Sequence, residues 1–166
     1  ISQRILAPVV VVVPIYMMFQ SAHMLDTHAA LIIAYTAFSL PFSIWLLRGF
    51  FEAIPVELED AAAIDGASML GTLHKIILPL AVPGLISAFI FCFTLCWNEY
   101  IYALTFISSA DNKTVPVAIV PSFTDGDAYR WGSIMAGALF GSLPLVILYA
   151  FFVEHYVSAM TGAVKE

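Results

Sequence analysis

Two short constellations in this sequence carry polar chemistry, and both sit among long apolar runs. The first is Trp97-Asn98-Glu99-Tyr100, where an amide and a carboxylate interrupt an apolar stretch that continues to residue 107. An ionisable group at depth in a membrane is expensive and faces a bundle interior or an aqueous pathway. Aromatic faces beside an amide and a carboxylate suit the apolar faces and hydroxyls of a polar solute. A second use stays open for Glu99: a place near a membrane interface, pairing with Arg130 or capping a neighbouring helix. The other constellation is acidic and small, Glu59-Asp60-Ala61-Ala62-Ala63 followed by Gly66. On a helix Glu59, Ala62, Ala63 and Gly66 fall on one narrow stripe. Such a stripe permits close docking against a partner surface.

Other reactive residue types do not assemble into sites. Cys92 and Cys96 lie four apart on one helix face, which reads as small buried apolar residues rather than a metal pair or a disulfide. His74, beside Lys75, reads as a loop histidine. Gly66 and Gly71 have the separation of a phosphate-binding loop, but Thr72 stands where that loop requires a lysine. No nucleophile–base–orienter set and no metal-ligand cluster emerges. The chain is therefore expected to have no catalytic residues and to bind no cofactor of its own.

The elements that must position these residues follow from composition. Of 166 residues, 61% are apolar and 11% charged, with six basic and twelve acidic side chains and a net charge of −6. A soluble domain carries about 25% charged residues. A soluble enzyme, a disordered chain and a basic nucleic-acid binder are all disfavoured. Uncharged runs predict four membrane spans, at about 5–25, 29–48, 77–107 and 131–154, each near the ~20 residues that cross a bilayer as a helix. The expected fold is an all-α membrane protein, a polytopic helical bundle forming a single transmembrane domain over residues 1–166. Arg4, Arg48, Lys75 and Lys165 flank the spans on one side, Lys113 and Arg130 on the other. The positive-inside rule then makes the 52–76 loop and the C-terminus cytoplasmic, and the 108–130 loop extracytoplasmic. Pro8, Pro14, Pro41, Pro79, Pro83 and Pro144 interrupt the spans, as membranes tolerate where neighbouring groups satisfy the freed carbonyls. Gly137-x-x-x-Gly141 is spaced for close helix packing.

Within the middle loop, Pro55 suits the first turn of a helix over residues 56–65. Gly66 can turn the chain. Met69, Leu70, Leu73, Ile76 and Ile77 then recur with helical period towards Pro79. Asp60-Ala61-Ala62, three residues, Gly66, nine residues, then Ile76-Ile77-Leu78-Pro79 resembles the EAA loop of binding-protein-dependent ABC importer permeases. Asp60 stands where the family has Glu, with Glu59 just before it. Leu25-Asp26-Thr27, Trp97-Asn98-Glu99-Tyr100 and the final residues from Leu145 look like the sugar-transporting, maltose-permease-like branch.

The resemblance implies a permease subunit in the bacterial plasma (inner) membrane that imports a carbohydrate. It implies that Glu59, Asp60, Ala61, Ala62, Ala63, Gly66, Ile76, Leu78 and Pro79 couple to an ATP-binding cassette dimer. Gly162, Ala163, Val164 and Lys165 become a C-terminal coupling tail, with Glu166 where relatives often have Gly. Trp97, Asn98, Glu99 and Tyr100 become candidates for the sugar pathway. The further partners implied are a second permease, usually a different chain, an extracytoplasmic solute-binding protein facing the 108–130 loop, and the lipid bilayer. ATP and Mg would sit on the ATPase subunit. Members of that branch have six spans, so the resemblance also implies two more before Ile1. Rival expectations are a permease for a non-sugar solute and an ion-coupled secondary transporter, for which Glu99 is the acidic candidate near midplane.

Overall fold

Long apolar stretches satisfy their own backbone polar groups as helices, the form required where water is absent. In the computed structural model, which describes residues 8–125 and 128–162, three helical segments are long and apolar enough to cross a membrane. They are His28–Glu52, Met69–Trp97 and Trp131–Phe152. Helix α1 (Pro8–Ser21) is shorter, 14 residues, and the start of the first expected span lies outside the described residues. Helix α2 (His28–Glu52) opens on Thr27, whose hydroxyl accepts from the Ala30 N–H at 3.3 Å. After α3 (Glu57–Ile64) comes α4 (Met69–Thr72), a wide π turn (Leu73–Ile77) and α5 (Leu78–Trp97). Then follow α6 (Ile101–Phe106), a single 3-10 turn (Ala110–Asn112), α7 (Val115–Ser122) and α8 (Trp131–Gly162). Between α7 and α8, β1 (Thr124–Asp125) and β2 (Ala128–Tyr129) form a two-residue antiparallel ladder. Among the described residues the architecture is all-α apart from that ladder.

The third expected span, 77–107, differs at both ends. Helical structure already begins at Met69, so α4, the π turn and α5 run as one 29-residue segment. Pro79 brings no N–H to this ladder, and just ahead of it the Leu78 N–H reaches back five residues to the Leu73 carbonyl. The turn widens where proline disturbs the regular pattern, and the helix continues. At the far end α5 stops at Trp97, and the chain re-enters a helix only at Ile101. The apolar run is thus two helices with a polar break between them.

The chain folds as two compact units. One holds the residues up to Ser39 together with Thr94–Ile147. Its core gathers Val12 and Phe19 of α1, Ala30, Leu31 and Ala34 of α2, Tyr102, Ala103 and Phe106 of α6, and Val117 of α7. The rings interlock: Phe19 meets Phe106 edge-on with centroids 5.2 Å apart, and Phe38 lies 4.8 Å from Tyr102. Aromatic pairs in such offset geometries add about 0.5–1.5 kcal/mol beyond burial in water-soluble settings. In the same unit α8 lies close to α7, and its glycines are the reason. A β-carbon on Gly141 would come 2.9 Å from Val115 Cγ1, and one on Gly137 3.1 Å from Phe123 Cε2.

The second unit holds Leu40–Phe93 and the residues from Leu148 onwards. Here Phe42 of α2 stacks on Phe91 of α5 at 3.9 Å between centroids. Ser43 and Cys92 share a hydrogen bond at 3.0 Å. Cys92 is half-buried and forms no disulfide. Ala81, Gly84, Ser87, Ala88 and Ile90 form the buried side of α5. Ser87 donates its hydroxyl to the Pro83 carbonyl at 2.9 Å, a local partner beside a proline.

Candidate coupling loop and polar helix break

The middle loop is a helix–turn–helix whose bends are set by particular residues. Pro55 and Val56 start it: their carbonyls accept from the N–H groups of Leu58, Glu59 and Asp60. Glu57, Glu59 and Asp60 occupy the first turn of α3, where the helix dipole favours negative charge. At the other end the Gly66 N–H donates to the Ala63 carbonyl at 3.1 Å and the Ala67 N–H to the Ala62 carbonyl at 2.9 Å. With Gly66 at φ +79° this is a Schellman closure, which needs a residue at ease in the left-handed region. Two residues on, the Ser68 hydroxyl accepts from the Gly71 N–H at 3.2 Å and caps α4. One helix ends and the next begins within five residues.

Of the residues predicted to couple, Glu59, Asp60, Ala61, Ala63, Gly66 and Pro79 are exposed. Ile76 and Leu78 are half-buried at the π turn and the start of α5. Ala62 departs from the expected docking stripe: it is 4% exposed, buried within the chain. Its small side chain suits the close approach of α3 and α4, elements in mutual contact. Met69, expected as the start of an apolar-periodic stretch, and Ile64, for which the sequence suggested no role, are 91% and 87% exposed on either side of Gly66. Isolated apolar residues beside a glycine turn in a charged loop were the signal for them. Gly162 ends α8; Ala163, Val164 and Lys165 of the expected tail lie outside the described residues.

The polar break between α5 and α6 uses Glu99 in the second of its two possible ways. Its Oε1 accepts from the Tyr102 N–H at 3.0 Å, and its Oε2 from the Ala103 N–H at 3.1 Å. These are orphan donors of the first turn of α6, and the carboxylate caps them. Tyr35 of α2 adds its hydroxyl to Oε2 at 2.9 Å. The alternative pairing with Arg130 is not formed among the described residues. Trp97 donates its indole N–H to the Gly141 carbonyl at 2.9 Å, and Asn98 its amide to the Thr94 carbonyl at 2.9 Å. Tyr100 is exposed. The four predicted pathway residues are thus adjacent, but three of them spend polar atoms on holding the chain's own helices. Replacing Glu99 by alanine should therefore lower stability by about 0.5–2 kcal/mol. Glu99→Gln, which keeps one acceptor oxygen but sets an NH2 donor where the other oxygen accepts, should recover only part of that loss. Thermal unfolding of the detergent-purified protein checks this, and an alanine variant as stable as the wild type would contradict it.

The far end of α6 is fastened too. Asp26 sits in the turn between α1 and α2 with φ +59°, and its N–H donates to the Phe106 carbonyl at 2.8 Å. Its Oδ1 accepts from the Ser108 N–H at 3.0 Å, the Ser109 N–H at 2.9 Å and the Ser109 hydroxyl at 2.9 Å. The Ser109 backbone N–H foremost, then its hydroxyl, hold the Asp26 carboxyl below its ordinary pKa. The Asn112 amide donates to the Asp26 carbonyl at 2.8 Å. Among the described residues no group of three or more His, Cys, Asp or Glu side chains is placed to hold a metal.

The family described as binding-protein-dependent transport system inner membrane component matches residues 5–162. The chain is 40% identical over 158 residues to the inner membrane ABC transporter permease protein YcjP of Escherichia coli, covering 95% of this chain and 56% of that protein. It is also 40% identical over 141 residues to the trehalose/maltose transport system permease protein MalG of Thermococcus litoralis, covering 84% and 51%. The chain spans about half the length of the curated relatives it matches. In fold it is similar to a chain in the crystal structure of a bacterial ABC transporter involved in the import of the acidic polysaccharide alginate. The TM-score is 0.68 at 24% identity, over 87% of this chain and 55% of that one.

Proposed function

Because the chain belongs to the family of binding-protein-dependent transport system inner membrane components, we propose that it is a permease subunit of an ATP-driven importer. The observation that carries this is the continuity between loop and span. From α4 the helix runs without a break through the π turn into a membrane-length segment, and α3 is joined to it at the Gly66 turn. A soluble partner gripping α3 holds a lever fixed to a span. The exposed acidic first turn of α3, with Ile64 and Met69 beside Gly66, offers that partner charge and apolar surface together.

The partner is an ATP-binding subunit dimer carrying the ATP and Mg, since Thr72 stands where this chain's nearest phosphate-loop spacing requires a lysine. ATP binding closes that dimer, α3 moves with the surface it occupies, and the spans exchange inward-open for outward-open states. Coupling of this kind needs the loop to interact differently with the two states. The 52–76 loop and the C-terminus lie in the cytoplasm, and a solute-binding protein delivers solute on the opposite side, at the 108–130 loop. A second permease chain completes the pathway. Carbohydrate is the solute class, supported by the relative named for trehalose and maltose and by Tyr100 and Trp97 at the polar break.

Affinity purification of the tagged chain from native membranes tests this assignment. An ATP-binding subunit and a second permease should accompany it in fixed ratio, with a solute-binding protein captured after mild cross-linking. A folded chain recovered without any ATP-binding subunit would overturn the assignment.

A further inference from the structure

We infer that Asp26 is a positioning residue, a side-chain latch that presets residues 108–112 and the entry to α7 for partner docking. The inference rests on the proposed function for its partner, the solute-binding protein, and on geometry alone for the latch. Three donors converge on the single oxygen Oδ1: the N–H groups of Ser108 and Ser109 and the Ser109 hydroxyl. The Asp26 backbone binds the same region from both of its polar groups, through Phe106 and Asn112. These contacts join positions 80 or more residues apart in sequence. Below them the segment leads directly into α7, whose Val117 is buried in the core and whose Val115 and Ile119 abut Gly141. The segment is therefore held at its start by Asp26 and at its end by packing. A docking surface held this way loses little conformational freedom when a partner binds, which favours affinity.

The residue type matters in two separable ways. At φ +59° Asp26 needs a residue that tolerates the left-handed region, and glycine and asparagine both do. Only asparagine also offers an Oδ1 where the three donors converge. Asp26→Gly thus removes the latch while keeping the backbone, and Asp26→Asn keeps both.

Hydrogen–deuterium exchange of the purified complex, read over residues 106–114, separates the possibilities. Exchange at Ser108 and Ser109 should accelerate about tenfold or more in Asp26→Gly, in line with the loss of hydrogen bonds to a charged acceptor. Asp26→Asn should stay within a few-fold of the wild type. Equal protection in Asp26→Gly and the wild type would overturn the latch, because backbone conformation would then suffice. If Asp26→Gly does not assemble, Ser109→Ala serves instead: faster exchange at Ser109 supports the latch, and unchanged exchange opposes it. The functional arm uses the solute-binding protein recovered with the complex. Its half-saturating concentration for stimulating ATP hydrolysis should rise about tenfold in Asp26→Gly, return in Asp26→Asn, and leave the maximal rate unchanged. A fall in maximal rate at unchanged half-saturation would contradict a docking role. Wild-type ATP hydrolysis that ignores the binding protein would defeat the importer assignment while leaving the exchange result standing.

Discussion

Replacing Gly66 with valine should cut solute uptake several-fold while leaving ATP hydrolysis and subunit assembly largely intact. The reason is conformational and not steric. A β-carbon at Gly66 would meet nothing within 4 Å, yet the residue sits at φ +79°. An L-residue there costs about 1–2 kcal/mol, and β-branching makes the region still less accessible. That cost, a factor of roughly 5–30 in an equilibrium constant, falls on the Schellman closure that sets the angle between α3 and α4. Relaxing it lets α3 move without carrying α4, the π turn and α5. Hydrolysis continues and the stroke is lost. Gly66→Asn is the control, because asparagine tolerates the same backbone conformation. Parallel assays of ATP hydrolysis and uptake in proteoliposomes decide the matter. Wild-type uptake in Gly66→Val would remove the turn from the coupling path.

The second large effect is expected at Gly84, and it is steric. A β-carbon there would run into Cγ of Phe50, with Phe50 Cδ2 at 2.7 Å and Phe50 Cβ at 2.8 Å. Because one of those atoms is Phe50 Cβ, rotating the ring cannot relieve the clash. The backbones of α2 and α5 must separate, and overpacking of this kind costs about 1–3 kcal/mol. Gly84→Ala should therefore lower the melting temperature of the purified protein, and adding Phe50→Ala should restore part of the loss. The double-mutant cycle isolates the contact. A melting temperature unchanged by Gly84→Ala would mean that α2 and α5 are not packed as described.

These two glycines show what a sequence can and cannot display. Gly66 stands at a fixed interval from Asp60-Ala61-Ala62 and from Leu78-Pro79, so its role as a turn was legible from local spacing. Gly84 has no such neighbour pattern; its significance depends on Phe50, on another helix. The same division runs through the site. Long uncharged runs predict spans well because hydrocarbon thickness sets their length. The length rule does not see the stop at Trp97, since the residues beyond the break are apolar again. Glu99 was read with two uses open, and the structure adopts the capping use because α6 presents first-turn N–H groups to it. Ala62 was placed on a docking stripe by helical period and by resemblance, and neither shows that its side chain is buried within this chain. Asp26 was legible only as part of Leu25-Asp26-Thr27. Its partners Ser108, Ser109 and Asn112 are distant in sequence, and no local rule links them.

On the proposed function, this chain transports solute only when a separate ATPase drives it through the middle loop. Uptake of a radiolabelled carbohydrate panel into vesicles holding the reconstituted complex, with ATP enclosed and the solute-binding protein outside, tests it most directly. Accumulation of at least one sugar is expected, requiring both ATP and the ATP-binding subunit and surviving an ionophore. Uptake that persists without the ATP-binding subunit and collapses with the ionophore would contradict it.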